Sequence, residues 1–162
     1  MPVLLLIFII TVTARPLGAQ SVEPHSHSPA DTSFAHMQER GKVAMGVDQY
    51  TSAHQFVVLP DGGKIELQRD STDSAGVHII REHLKGIAAA FAAGNFSTPG
   101  FVHAEEVPGT AVMREKRAAI QYRFEPLPGG GDVRIVTHDH TAIKAVHDFL
   151  AYQRREHRVG KM

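Results

Sequence analysis

The sequence predicts an α+β fold in which a ββα unit occurs twice, giving a four-stranded antiparallel sheet with two helices on one face. Three observations support this prediction: two pairs of strand-like segments joined by glycine-rich turns, an amphipathic helix after each pair, and an internal repeat that relates the two units. Matching residues lie 68 positions apart in the strands and 66 apart in the helices: Phe56 with Phe124, Leu59 with Leu127, Pro60 with Pro128, Gly62 with Gly130, Gly63 with Gly131, Ile65 with Val133, Leu67 with Ile135, Ile80 with Val146 and Leu84 with Leu150.

Two hairpins are expected from alternating apolar residues around glycine-rich turns. The first joins residues 54–59 to residues 64–69 through Pro-Asp-Gly-Gly. The second joins residues 119–127, through Pro-Gly-Gly-Gly, to a strand with Val133 and Ile135 on its inward face. The opposite sheet face is expected to be polar, with Glu66, Gln68, Gln121, Arg123 and Arg134.

Each hairpin is followed by apolar residues at helical spacing. The first helix is expected to begin after a Ser-Thr-Asp-Ser stretch of cap candidates and to end at the Gly94-Asn95 pair. The second is expected to begin at Asp139 or Thr141. Residues 96–109 contain two prolines and two glycines and are expected to form an irregular connector.

Three regions are predicted along the chain. Residues 1–20 form a signal peptide, residues 21–44 a flexible linker containing histidine, proline and serine, and residues 45–160 a single α+β domain. The apolar run at 3–12 suits a signal peptide and is shorter than the about 20 residues that span a bilayer. Because no Lys or Arg precedes this run, an uncleaved anchor or a buried N-terminal segment stays open, as does a short helix within 32–44. We expect a periplasmic or secreted protein.

Composition excludes several classes of protein. The chain contains 17 Lys and Arg against 17 Asp and Glu, so no basic field exists to hold nucleic acid. The lack of cysteine excludes disulfides, thiolate catalysis and cysteine-ligated metals. Without a second long apolar run, no membrane span is expected after signal removal. The expected partner is an unidentified protein or small ligand in the exported compartment.

No catalytic motif is found in the sequence. Gly-x-Ser-x-Gly, P-loop and dinucleotide-binding motifs are absent. The glycine run at 129–131 lies between two predicted strands, which favours a hairpin turn over a phosphate-binding loop. An acid–base pair of His54 and Asp48 is the remaining enzymatic hypothesis.

Histidine is the unusual feature of the composition, with 11 residues. Imidazole binds zinc, copper or nickel, and a thioether beside it favours copper. For histidines at the edge of an apolar helix stripe, such as His83 and His147, packing and hydrogen bonding are the alternative role. The metal, if bound, is expected to be copper or zinc. The candidate ligands are His54, His83, His103, Met113 and His147, with Asp48, His138, His140 and His157 as further candidates and Met45 as a second thioether.

Several short stretches resemble signatures of a family of small exported bacterial proteins of unknown function. They are 45–49, 51–56, 62–65, 80–84 and 91–96, then His103, Pro108-Gly109, Met113, and His147-x-Phe149-Leu150 with Gln153 and His157. The resemblance covers about residues 45–160 and implies export and one compact domain. It draws attention to His54, His83, His103, Met113 and His147, which fall inside the matching stretches.

Some sequences of this kind carry the label aspartate carbamoyltransferase. The catalytic chain of that enzyme uses a Ser-Thr-Arg-Thr-Arg phosphate loop, which is absent here. Its regulatory chain holds zinc with cysteines, which are also absent. The resemblance therefore implies no established active site.

Beside the enzymatic hypothesis of His54 with Asp48, two other functions stay open at this point. The first is an exported binding or interaction domain without catalysis, acting through the polar sheet face or the connector at 96–109. It predicts that His83→Ala and His147→Ala change stability alone. The second is a transition-metal protein, which predicts one tight site that is lost with any one ligand.

Overall fold

The structure of this protein, a computed structural model, describes residues 29–48 and 51–159. In this part of the chain, two strands precede each of two long helices. In chain order the elements are α1 (Pro29–Met45), β1 (Ser52–Leu59), β2 (Gly62–Arg69), α2 (Ser74–Ala92), α3 (Ser97–His103), α4 (Thr110–Glu115), a 3-10 turn (Arg117–Ala119), β3 (Ile120–Leu127), β4 (Gly130–Thr137) and α5 (His140–Glu156).

The sheet has the strand order β1-β2-β4-β3, with each neighbouring pair antiparallel. At its centre Ile65 of β2 pairs with Val133 of β4. These two residues are repeat partners, so an approximate twofold axis through this pair relates the two units. The predicted α+β class with a four-stranded antiparallel sheet is confirmed, and the element order agrees with the ββα repeat.

Glycine is required where the two hairpins meet. Gly62 has a φ of +133°, and a Cβ atom there would lie 2.4 Å from the carbonyl oxygen of Ile135. At its repeat partner Gly130, a Cβ atom would lie 2.2 Å from the carbonyl oxygen of Leu67. Because the opposing atoms belong to the backbone, no side-chain rotation can relieve the contact. The close approach of β2 and β4 therefore explains a glycine in both turns.

The two long helices cross over to the opposite hairpins. Helix α2 follows the first hairpin but packs mainly on β3 and β4, while α5 follows the second hairpin and packs mainly on β1 and β2. Ile80 of α2 and Val146 of α5 are fully buried, as are Leu67 and Val133 of the sheet. Each unit therefore supplies the helix that covers the other unit, and both are needed to bury the core.

Both long helices begin at an aspartate cap. The side chain of Asp73 accepts a hydrogen bond from the backbone N–H of Gly76, and that of Asp139 accepts from Thr141 and Ala142. Asp73 and Asp139 lie 66 positions apart and are repeat partners. The prediction of Asp139 as a cap is confirmed, and the cap has the same place in both units.

The predicted linker at 21–44 contains a helix, in agreement with the short helix left open within 32–44 but longer than it. Helix α1 occupies Pro29–Met45. Met37 and Met45 of this helix are buried, and α1 packs on α3. The segment is helical from residue 29 because its apolar side chains are buried against the rest of the fold, which stabilises a helix of weak intrinsic preference. The rest of the linker and the signal peptide predicted at 1–20 lie outside the described residues.

The connector predicted to be irregular at 96–109 is partly helical. The first half of this segment forms α3, and α4 begins at the residue after its end. Pro99 is buried in the first turn of α3, where its missing N–H would have had no helical partner. Proline was taken as a breaker there, whereas its position in the first turn is compatible with a helix.

The sheet face away from the helices is polar, as predicted. Glu66 and Asp132 lie opposite each other on β2 and β4 and are 8% and 6% exposed. Lys64 and Gln68 donate to the carboxylate of Glu66 at 2.7 and 2.6 Å. Within the ranges that the structure describes, no helix combines the length and the apolar character needed to cross a membrane.

Candidate functional site

A small pocket lies between the inner face of the sheet and four helices. It has a volume of about 70 Å³, is partly open to solvent, and is lined mostly by apolar side chains of β1, β2, α1, α2, α3 and α5. Set among them are histidines from different parts of the fold: His54, His83, His103 and His157.

Each ring reaches the pocket for a local reason. His54 pairs across the sheet with the core residue Leu67, so strand alternation directs it to the helix side. His83 lies on α2 beside the apolar stripe of that helix. His103 is the last residue of α3, and His157 is the C-cap of α5. The pocket therefore depends on four separate elements meeting at one end of the core.

His157 lies at the centre of the imidazole cluster. Its ring centre is 5.2 Å from that of His54 and 5.3 Å from that of His103. His54 is also stacked on Phe56, with ring centres 5.6 Å apart. Three imidazoles thus form a connected group in contact with the aromatic core.

Burial keeps these imidazoles neutral. It lowers the pKa of His54 to about 4, with a further lowering from the neighbouring His83. It lowers the pKa of His157 to about 3, with further lowering from His54 and His103. The pKa values of His83 and His103 are also lowered by burial, against hydrogen bonds to Ala44 and Gln153 that raise them. At neutral pH the rings carry lone pairs and no charge.

Two ring nitrogens of this cluster accept no hydrogen bond from the described residues. The Nε2 atom of His103 donates to Oε1 of Gln153 at 3.0 Å, which leaves its Nδ1 as the lone-pair nitrogen. The Nδ1 atom of His157 is buried and has no hydrogen-bond partner in the described residues. A buried polar atom in this state costs about 1–3 kcal/mol, a cost that a ligand bound at Nδ1 would remove.

Two of the expected ligands lie elsewhere. Met113 is fully buried in α4. His147 faces the turn of the first hairpin, where its Nε2 atom donates to the carbonyl oxygen of Leu59 at 2.9 Å. Neither lines the pocket, whereas Met45, from the last turn of α1, does.

The remaining candidates also lie outside the pocket lining. His138 and His140 are exposed around the start of α5. The carboxylate of Asp48 lies 4.0 Å from the ammonium of Lys42. Within the described residues, no group of three or more histidine, aspartate or glutamate side chains is already arranged to hold a metal ion.

A larger polar cavity of about 340 Å³ adjoins the pocket through His103. The hydroxyl of Tyr152 donates to Glu105 in its wall. Arg155 donates to Glu156 at 2.9 Å. These pairs satisfy several of its charged groups internally.

The twofold axis relates the histidine pocket to an aromatic cluster. Phe91 of α2 contacts Tyr122 of β3 edge to face, with ring centres 5.8 Å apart. It contacts Phe149 of α5 at the same separation and also edge to face. Phe91 and Phe149 are almost fully buried, and these three rings fill the helix–sheet interface.

All three aromatic positions have histidine as the repeat partner. The central Phe91 corresponds to the central His157, and the contact of Phe91 with Tyr122 corresponds to the contact of His157 with His54. The shift of 66 or 68 positions could have grouped these histidines from the sequence alone. The corresponding pairs are Phe91 with His157, Tyr122 with His54, and Phe149 with His83.

Comparison with known proteins yields no match: no family model, curated protein or solved structure is significantly similar to the chain. The family resemblance described above therefore stays a prediction.

Proposed function

We propose that the protein is a small exported binding domain whose histidine pocket holds a transition-metal ion, with copper and zinc as the candidates. One observation carries this proposal: imidazoles occupy three positions whose repeat partners are packing aromatics. Since the same helix–sheet interface accepts aromatic rings at one end, packing does not require imidazoles at the other. A ligand does, because neutral imidazole is a preferred donor for these metals.

The protonation state of the pocket supports this role. A metal binds the neutral ring, and protons compete for the same lone pair. With pKa values of about 4 for His54 and about 3 for His157, that competition is negligible near neutral pH. The unpartnered Nδ1 of His157 is the buried donor for which a ligand would supply the missing contact.

The size of the pocket argues against an organic ligand of ordinary dimensions. An engineered apolar cavity of about 150 Å³ holds benzene, and drug-sized ligands occupy pockets of about 300 Å³ or more. The pocket has a volume of about 70 Å³. An ion with one or two small ligands fits that volume.

The spacing of the rings is compatible with shared coordination. Two imidazoles on one tetrahedral ion, at metal–nitrogen distances of about 2.0–2.1 Å, have ring centres about 5 Å apart. The His54–His157 and His103–His157 separations are 5.2 and 5.3 Å. Because three donors are not yet directed at one point, binding requires the rings to turn within the pocket.

The test is metal titration of the untagged protein by calorimetry, with elemental analysis of the purified protein. We expect one stoichiometric site in wild type and a loss of at least about 100-fold in affinity in His157→Phe, which installs the repeat partner's side chain. His138→Ala is the matched control because this histidine is exposed and outside the pocket.

A second control removes His25 and His27, which lie outside the described residues and could bind metal weakly. Binding that survives this change and is lost in His157→Phe supports the proposal. No binding by wild type, or equal binding by His157→Phe, would overturn it.

A further inference from the structure

The pocket lining points to one oxidation state of one metal. Met45, the last residue of α1, is 6% exposed and lines the pocket together with His54 and His157. Its thioether is a soft, neutral donor, which favours cuprous ion over harder divalent ions. Met45 therefore brings a thioether to the same pocket as the imidazole cluster.

No carboxylate is among the described residues that line the pocket. A divalent ion would bring two charges into apolar surroundings without a carboxylate in the lining, although Glu105 and Glu156 act on His103 from outside it. The cost of transferring an ion from water grows with the square of its charge, so a monovalent ion meets about one quarter of that cost. The charge of the lining thus favours a monovalent ion.

The number of available donors leads to the same ion. Zinc sites in proteins have three or four protein ligands. Within the described residues no such group of histidines and carboxylates is arranged. What the pocket offers is close imidazole pairs around His157 and one thioether, which suits cuprous ion because it accepts low coordination numbers.

We infer that the pocket selects cuprous ion, held by His157 with His54 or His103 and by the sulfur of Met45. This inference rests on the proposed metal function and narrows it. It requires no redox step, since copper enters and leaves in the same oxidation state.

The test is an anaerobic competition titration in which the protein takes cuprous ion from a chromogenic chelator, with separate titrations of zinc and cupric ion. We expect cuprous ion to bind most tightly. Met45→Leu keeps a similar volume and removes the sulfur, so it should weaken cuprous binding by at least about tenfold and leave any zinc binding unchanged.

Met113→Leu is the matched control, because Met113 is also buried but does not line the pocket. Unfolding midpoints of both variants check that the fold is kept. X-ray absorption of the copper-loaded protein should show one sulfur neighbour in wild type and none in Met45→Leu.

The outcomes separate the two proposals. Tighter zinc or cupric binding that is still lost in His157→Phe keeps the metal function and overturns the choice of cuprous ion. Cuprous binding that is unchanged in Met45→Leu overturns the role assigned to the thioether. No binding of any of the three ions overturns both proposals.

Discussion

The two ends of the core have the same backbone plan and opposite chemistry. At one end Phe91, Tyr122 and Phe149 contact one another through aromatic edges and faces. At the other end the repeat partners are histidines around a small pocket, with one buried nitrogen left unpartnered. The aromatic end shows what this interface needs for stability. Among the described residues both ends hold a buried polar atom without a partner, the Tyr122 hydroxyl and Nδ1 of His157, so the replacement of aromatic rings by imidazoles is what locates the candidate site.

The largest expected contrast is in the loss of stability on truncation. Phe91→Ala removes a buried ring at the centre of the aromatic cluster and should cost about 3–5 kcal/mol. His157→Ala, at the corresponding position, removes a partly buried ring with an unpartnered nitrogen and should cost about 1 kcal/mol or less. Urea unfolding at neutral pH measures both, and equal losses would mean that the two ends serve the same packing role.

The next contrast is in the response to acid. The pKa values of His54 and His157 are about 4 and about 3 in the folded protein, below the ordinary value of 6.5. Below pH 6.5 the unfolded chain therefore binds more protons than the folded one. Stability should be full above about pH 6.5 and fall as the pH approaches 4, by up to about 1.4 kcal/mol per pH unit for each of these histidines.

A double variant tests the source of this acid sensitivity. His54→Tyr with His157→Phe installs the aromatic partners. In this variant the urea midpoint of unfolding should change less between pH 6.5 and pH 4.5 than it does in wild type. Acid sensitivity that persists at wild-type strength in the double variant would assign it to other groups. His140→Ala, at an exposed site, serves as the control.

The smallest effect is expected where the two units are alike. Asp73→Ala and Asp139→Ala each remove a side-chain cap from a long helix and should cost about 1 kcal/mol. Each aspartate also has a cation nearby, with Arg69 at 2.6 Å from Asp73 and Lys116 at 3.2 Å from Asp139. Similar losses by thermal unfolding would show that the framework is symmetric; losses that differ by more than about 1 kcal/mol would contradict this.

Local signals in the sequence were sufficient for the hairpins and the long helices. The alternation around Ile65 and Val133, the glycine turns and the Asp139 cap act over a few residues, so a single sequence carries them. Helices α1 and α3 were not predicted in full because they are short or weakly amphipathic and gain stability by packing on each other.

The site was only partly predictable for a different reason. His54, His83 and His103 were named as ligands, but their meeting point depends on how four elements pack. His157 stood among the further candidates because its helical spacing fitted a core contact as well as a position past the end of the helix. Met113 and His147 could not be told from pocket residues, since burial and helical spacing are the same for a core contact and for a ligand.

The most direct test of the account replaces the histidine cluster by its aromatic counterpart, in the triple variant His54→Tyr, His83→Phe and His157→Phe. The free energy of unfolding is measured for wild type and variant, with and without the bound metal ion at about 100 times its Kd. We predict that the metal-free variant is at least as stable as wild type at neutral pH. Wild type should gain about 2.7 kcal/mol from the metal, and the variant nothing. A variant that loses several kcal/mol, beside a wild type that gains nothing from metal, would show that the histidines are packing groups and would contradict the account.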